Sequence, residues 1–214
     1  MKGFVTGVLT TLIVGAGIGL AVVYGGKVDV AADSPHSDLI FSLLETAREK
    51  SIDQGVKGLS VPINLADKDR IRRGAGNYDA MCVSCHLAPG TENSEIRMGL
   101  YPTPPDLSKQ DEPSTDEAAR KFWVIKHGIK ASGMPAWSKG GIEDEAIWDM
   151  VAFLQVMPKL TQATYSEWVE TSEGHSHGGL TGGELMHGQG SDVMTAPAKV
   201  NGRSGHDNSD GHAH

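Results

Sequence analysis

The longest unbroken apolar run is residues 4–24, FVTGVLTTLIVGAGIGLAVVY, which contains no charged side chain. At ~1.5 Å rise per residue, a helix of that length can cross a ~30 Å hydrocarbon core. After it the pattern becomes helical and two-sided. In SDLIFSLLETAREK the residues Leu39, Ile40, Leu43, Leu44 and Ala47 fall on one stripe, predicting an amphipathic helix over 37–50. Asn64 is placed to cap a helix from about Ala66 to the first cysteine, with Ile71, Ala75 and Tyr78 along one side. Residues 87–113 contain five prolines and no period, and so predict a long loop. Ser114 and Glu117 form a capping-box pair ahead of a helix through Phe122, Trp123 and Ile125 that stops at Gly128. Acidic Glu143, Asp144 and Glu145 suit the start of a last helix, which carries Ile147, Trp148, Val151 and Leu154 before Pro158 ends it. No β-rich run competes, so the expected class is all-α.

From Thr171 to His214 the chain is dominated by Gly, His, Ser and Asp, with no aromatic residue. Such a segment buries too little surface to offset its ordering entropy and is expected to be a disordered tail. A secretory signal peptide is the rival reading of the apolar run. Its apolar region is usually shorter, however, and the V-A-A at Val30–Ala32 lies beyond Lys27 and Asp29. An uncleaved anchor is preferred, with Lys2 on the cytoplasmic side and the remainder exported. Gly15 and Gly19 form a small-residue pair, read as glycines tolerated in lipid. The formal net charge is −8, with no strongly basic segment, which argues against a nucleic-acid partner.

Both cysteines of the chain stand in CVSCH, residues 82–86, directly ahead of a histidine. Three chemistries use such a cluster: a redox dithiol, half of a zinc site, or covalent haem attachment. A zinc ribbon needs further ligands at paired spacing, and there is no other cysteine. A thioredoxin-like C-x-x-C follows a strand in a βαβ unit, and none is predicted. C-x-x-C-H is the signature of c-type haem attachment: Cys82 and Cys85 reach the vinyl groups, and His86 lies beneath the iron. For the opposite side, Met134 in SGMPAW is the best placed of eight methionines. Gly133 would let the backbone approach a flat ring, and Pro135 would stiffen the thioether's position.

With these motifs and its YPTPPDL and GMPAW stretches, the chain resembles the class I c-type cytochromes, in particular a bacterial membrane-anchored monohaem group. The resemblance covers about residues 33–168. It implies a cytochrome c fold around one covalent haem c; with the apolar run and the biased C-terminal segment, the expected organisation is a transmembrane anchor at 1–25, a linker and amphipathic helix at 26–65, a haem domain at 66–170 and the tail at 171–214. Gly74, Tyr78 and Cys82 match the family's first helix, where the glycine permits close crossing by the last helix. Met150 and Phe153 match the other side of that crossing. Pro105 matches the proline whose carbonyl accepts a hydrogen bond from the proximal histidine. Leu87 departs from the pattern, because the family has glycine there. The helix at 37–50 is extra and is expected to pack around the outside of the haem domain.

A His86/Met134 pair fills both axial positions, which favours electron transfer over oxygen or peroxide chemistry. The expected function is a membrane-tethered single-electron carrier, not an enzyme. It would sit in the bacterial inner membrane with its haem domain in the periplasm, between an upstream dehydrogenase or quinol-oxidising complex and a downstream oxidase or reductase. The alternatives are a fixed cytochrome subunit of a larger membrane oxidoreductase and a haem or metal sensor. Lys126, Lys130 and Lys139 beside the methionine loop suggest a docking ring for an acidic partner. Trp123, Trp137 and Trp148 read as core or rim packing, and His36 and His127 as surface residues. In the tail, His175, His177, His187, His206, His212 and His214, with Met186 and Met194 nearby, are candidate ligands for copper or zinc.

Overall fold

The computed structural model describes residues 1–109 and 115–176, and among them every regular element is helical. The α-helices are α1 (Lys2–Tyr24), α2 (Asp38–Gly55), α3 (Lys68–Met81), α4 (Val83–His86), α5 (Glu95–Met98), α6 (Thr115–His127), α7 (Asp144–Val156) and α8 (Gln162–Glu170). The uncharged run forms α1, which buries no residue and is long and apolar enough to cross a membrane. No atom lies within 4 Å of a Cβ added at Gly15 or Gly19.

The core is the crossing of α3 with α7. A Cβ on Gly74 would lie 2.0 Å from the Asp149 carbonyl oxygen and 2.8 Å from Phe153 Cβ, so only glycine allows the two backbones this close. Tyr78, Ile147, Met150, Val151 and Phe153 are fully buried around the crossing. Beside them Asp149, also fully buried, accepts from Arg73 Nε at 2.7 Å and lies 3.0 Å from a nitrogen of Arg70. Arg70 also reaches Glu145 at 2.8 Å. A buried carboxylate is tolerable there because two guanidinium groups face it. Helix α6 closes the other side, stacking Phe122 on Trp148 with ring centroids 4.1 Å apart.

Several elements differ from the pattern-based expectation. Helix α3 is capped by Asp67, whose side chain accepts from the Asp69 and Arg70 amides. Asn64 instead offers its carbonyl to the Asp67 amide at 3.1 Å, in a turn that must precede the helix. The long loop contains α5 and a 3-10 turn, Leu107–Lys109. Ser114, half of the expected capping box, lies outside the described residues. Helix α6 does end ahead of Gly128, which has φ +65°. Helix α8 was not expected; it is capped by Thr161 and fastened to α3 by the Tyr165 hydroxyl, which donates to Asp79 at 2.8 Å.

Helix α2 packs on the outside of the domain, as expected, but not through its apolar stripe. Leu39, Leu43 and Leu44 are exposed, and contact is made by the helix's C-terminal turns instead. There Ile52 is buried, Arg120 pairs with both Glu49 and Asp53, and Gly55 lies against Trp123. The Ser176 amide donates to the buried Asn77 side chain at 2.8 Å, and Ser172 lies against Gly76, so residues 171–176 are packed on α3.

Candidate functional site

The end of α3 runs directly into the single turn α4, and this junction sets the cysteines. Cys82 closes α3, and its carbonyl accepts from the Cys85 amide at 3.1 Å and the His86 amide at 2.9 Å. The two cysteines are not joined in a disulfide, and Cys82 is buried while Cys85 is half-buried. Burial, followed by the nearby Cys85, pushes the Cys82 thiol up to about 12. A thiol so reluctant to ionise is a poor centre for dithiol exchange, whereas a neutral thioether sulfur suits that burial.

His86 Nδ1 lies 3.0 Å from the Pro105 carbonyl oxygen, the bond that the resemblance implies. A carbonyl can only accept, so Nδ1 carries the proton and Nε2 keeps a lone pair. Burial pushes the His86 pKa down, the Pro105 bond pulls it back in part, and the Arg97 charge pushes it down again. The net lowering favours the neutral imidazole that metal ligation requires. The segment around Pro105 is braced on both sides. Arg97 donates from Nε to the Pro104 carbonyl at 3.0 Å and from a terminal nitrogen to Asn93 at 3.1 Å. One oxygen of Asp106 accepts from the Ser108 amide at 3.0 Å and its hydroxyl at 2.6 Å, and the other faces Lys109 at 2.9 Å.

Leu87 resolves the departure from the family pattern. Its backbone, at φ 66° and ψ 162°, takes a path that glycine ordinarily supplies, while its side chain is buried. Its carbonyl accepts a 2.6 Å hydrogen bond from the Tyr78 hydroxyl. Burial pushes the Tyr78 phenol well above its ordinary value, so the hydroxyl remains a donor. Arg97 belongs to no motif, and although Tyr78, Asp106 and Ser132 lie within the motif stretches, only their hydrogen-bond partners reveal how they support the site.

Met134 is in the loop between α6 and α7. The loop is clasped by Ile129 N donating to the Met134 carbonyl at 3.1 Å, Ser132 Oγ to the Ile129 carbonyl at 2.8 Å, and Met134 N to Ser132 Oγ at 3.1 Å. Gly128 completes the clasp, since a Cβ there would lie 2.6 Å from the Pro135 carbonyl carbon. A Cβ added at Gly133 would lie 2.6 Å from the Leu100 side chain, so the backbone here is closely covered. The half-buried Met134 packs on the same core that contains Cys82. The neutral sulfurs, neutral imidazole and soft thioether form a donor set that fits a covalently attached haem.

Trp148 is buried in the core, Trp137 packs against it half-buried, and Trp123 lies near the exposed His127 with ring centroids 5.0 Å apart. The His36 amide donates to the Tyr101 hydroxyl at 3.1 Å. Lys126 is not free, because its ammonium lies 2.6 Å from Asp144; Lys130 and Lys139 are exposed. Of the tail histidines only His175 falls among the described residues. His177, His187, His206, His212 and His214, with Met186 and Met194, lie outside them. Among the described residues no three His, Cys, Asp or Glu side chains gather as metal ligands.

Residues 69–154 match the family described as cytochrome C oxidase, cbb3-type, subunit III. That segment is less than half of the chain but includes Cys82, Cys85, His86, Pro105 and Met134. No curated protein and no solved structure matches the chain.

Proposed function

Residues 69–154 are a c-type cytochrome domain, and from that premise we propose that the chain is a membrane-tethered single-electron carrier. Such a domain implies covalently bound haem c, which supplies a one-electron ferric/ferrous couple. Cys82 and Cys85 hold it through thioethers. His86, through Nε2, and Met134, through its thioether, would be the iron ligands. The observation that carries this reading is the bond from His86 Nδ1 to the Pro105 carbonyl, which fixes tautomer and ring orientation as the support of an axial ligand does. Two such protein ligands would favour electron passage over oxygen or peroxide chemistry. Helix α1 tethers the domain to a bacterial inner membrane with the haem on the periplasmic side, between a dehydrogenase or quinol-oxidising complex and an oxidase or reductase.

The test uses the full-length holoprotein and its Met134→Ala variant. The weak near-infrared sulfur-to-iron band of the ferric protein should vanish in the variant, and carbon monoxide should bind the ferrous variant much faster than the parent. An unchanged band removes Met134 from the site, and rapid binding of carbon monoxide to the parent favours a sensor.

A second reading, a fixed oxidoreductase subunit, draws on the matched family, whose description names an oxidase subunit. Solubilisation in mild detergent separates the two: a subunit leaves the membrane in a stoichiometric complex, a carrier alone. Copper or zinc at the tail histidines is a further reading, tested by calorimetric titration of Cu(II) into the full chain and a chain cut after Ser176. That cut preserves the contacts of residues 171–176 with α3. Equal stoichiometry in the two chains ends the idea.

A further inference from the structure

The apolar stripe of α2 is the most extensive feature that the haem site leaves unused. Leu39, Leu43, Ala47, Ile40 and Leu44 fall within an arc of about 140° at 100° per residue. Leu39, Ile40, Leu43 and Leu44 are 77, 44, 63 and 53 % exposed. The helix meets the domain by another side, because Glu49 and Ile52 lie roughly 150° from the centre of the stripe at that same pitch. Arg120 holds Glu49 and Asp53, Ile52 is buried, and Gly55 lies against Trp123. Rolling α2 to bury the stripe would break both ion pairs and expose Ile52. The stripe therefore faces away from the haem domain.

We propose that this stripe lies in the headgroup region of the bilayer that α1 spans, so that α2 is a second membrane contact, parallel to the surface. The proposal rests on the reading of α1 as an anchor. Continuity with α1 selects lipid as the occupant: α1 ends at Tyr24 and α2 begins at Asp38, and the linker 25–37 reaches at most ~45 Å. The linker is long enough for the stripe to lie on the membrane surface and too short to carry it far away, and a helix with one apolar face is stable in the interface. The start of α2 is also held to the loop that carries Pro105, since His36 donates to Tyr101 and the two rings pack edge-on at 5.3 Å. Charge does not provide the attraction, because Asp38, Glu45, Glu49 and Asp53 outnumber Arg48 and Lys50 on this helix. The contact is hydrophobic and indifferent to salt. Its consequence is a haem domain held at a set orientation to the membrane, facing partners embedded in the same bilayer.

The test places a nitroxide, one at a time, on Leu43→Cys, Glu45→Cys and Val14→Cys in the full-length reduced holoprotein, reconstituted in phosphatidylcholine vesicles. Collision with oxygen, which concentrates in lipid, is compared with collision with a water-soluble nickel chelate. The label at position 43 should favour oxygen several-fold more than the label at 45, and molar salt should leave the ratio unchanged. A label at 43 as wet as that at 45, with the label at 14 in lipid, overturns the proposal while the anchor stands. A wet label at 14 overturns both. A label at 43 shielded from both probes and coupled at short range to a second label shows a second copy on the stripe, which also overturns the proposal.

Discussion

The Tyr78 hydroxyl donates a 2.6 Å hydrogen bond to the Leu87 carbonyl, tying α3 to the residue that directly follows His86. Tyr78→Phe removes the donor and leaves a buried acceptor without a partner, which costs about 1–3 kcal/mol. Denaturant unfolding of the holoprotein should show that loss. The same bond fixes Leu87 at φ 66° and ψ 162°, a conformation that costs a residue with a side chain about 1–3 kcal/mol. Leu87→Gly should therefore be more stable than Leu87→Ala by about 1 kcal/mol, the reverse of their usual order, because only glycine relieves the backbone.

At the helix crossing, Gly74→Ala would put a methyl carbon 2.0 Å from the Asp149 carbonyl oxygen, where neither backbone can give way cheaply. Overpacking of this kind should cost about 3 kcal/mol or more. Thermal unfolding of the holoprotein should drop sharply or the variant should fail to accumulate, while Gly15→Ala, with nothing within 4 Å, should leave the unfolding temperature unchanged.

Asp106 predicts a pH dependence. Burial raises its pKa, but hydrogen bonds from Ser108 and Lys109 outweigh burial and hold it below the ordinary carboxylate value. A depressed folded-state pKa contributes stability that is present above the unfolded value of about 3.9 and is lost as pH falls through the folded one. Asp106→Asn should cost about 1 kcal/mol near neutrality. Its difference from the parent should shrink in acid unfolding below about pH 4, and a constant difference at all pH would refute the assignment.

The lysines beside the methionine loop are not equivalent. Lys126 is held by Asp144, whereas no carboxylate bonds Lys130 or Lys139 among the described residues. With an acidic redox partner, Lys130→Gln and Lys139→Gln should slow bimolecular electron transfer and reduce its salt dependence, and Lys126→Gln should do so less. The attraction is screened over about 8 Å at physiological salt. Stopped-flow rates at rising ionic strength measure it, and a rate that does not fall with salt removes the docking ring.

Much of the fold was legible because helix formation is local. The unbroken apolar run placed α1, and the period of apolar residues placed α3, α6 and α7 within a few residues; acidic Asp144 and Glu145 stand in the first turn of α7 as expected. Helix α8 escaped because its few apolar residues, among them Tyr165 and Trp168, gain their meaning only against α3. The cap of α3 was misplaced because Asn64 and Asp67 offer similar side-chain oxygens, and the turn between them decided which one served.

The sequence by itself determined the apolar span, the all-helical class and the CVSCH cluster, since each depends on neighbours a turn or less apart, or on an unbroken run of one residue type. The bond from His86 to Pro105 was implied by resemblance rather than by spacing. Only the tertiary structure decided that Leu87 would adopt a glycine-like backbone, that Asp144 would engage Lys126, and that α2 would turn its polar side to the domain. Those outcomes depend on which distant surfaces meet. In α2 an amphipathic pattern says that one face avoids water, but not what covers it. Arg120, reached only when the chain has folded back on itself, set the helix by its acidic side and left the leucines outward.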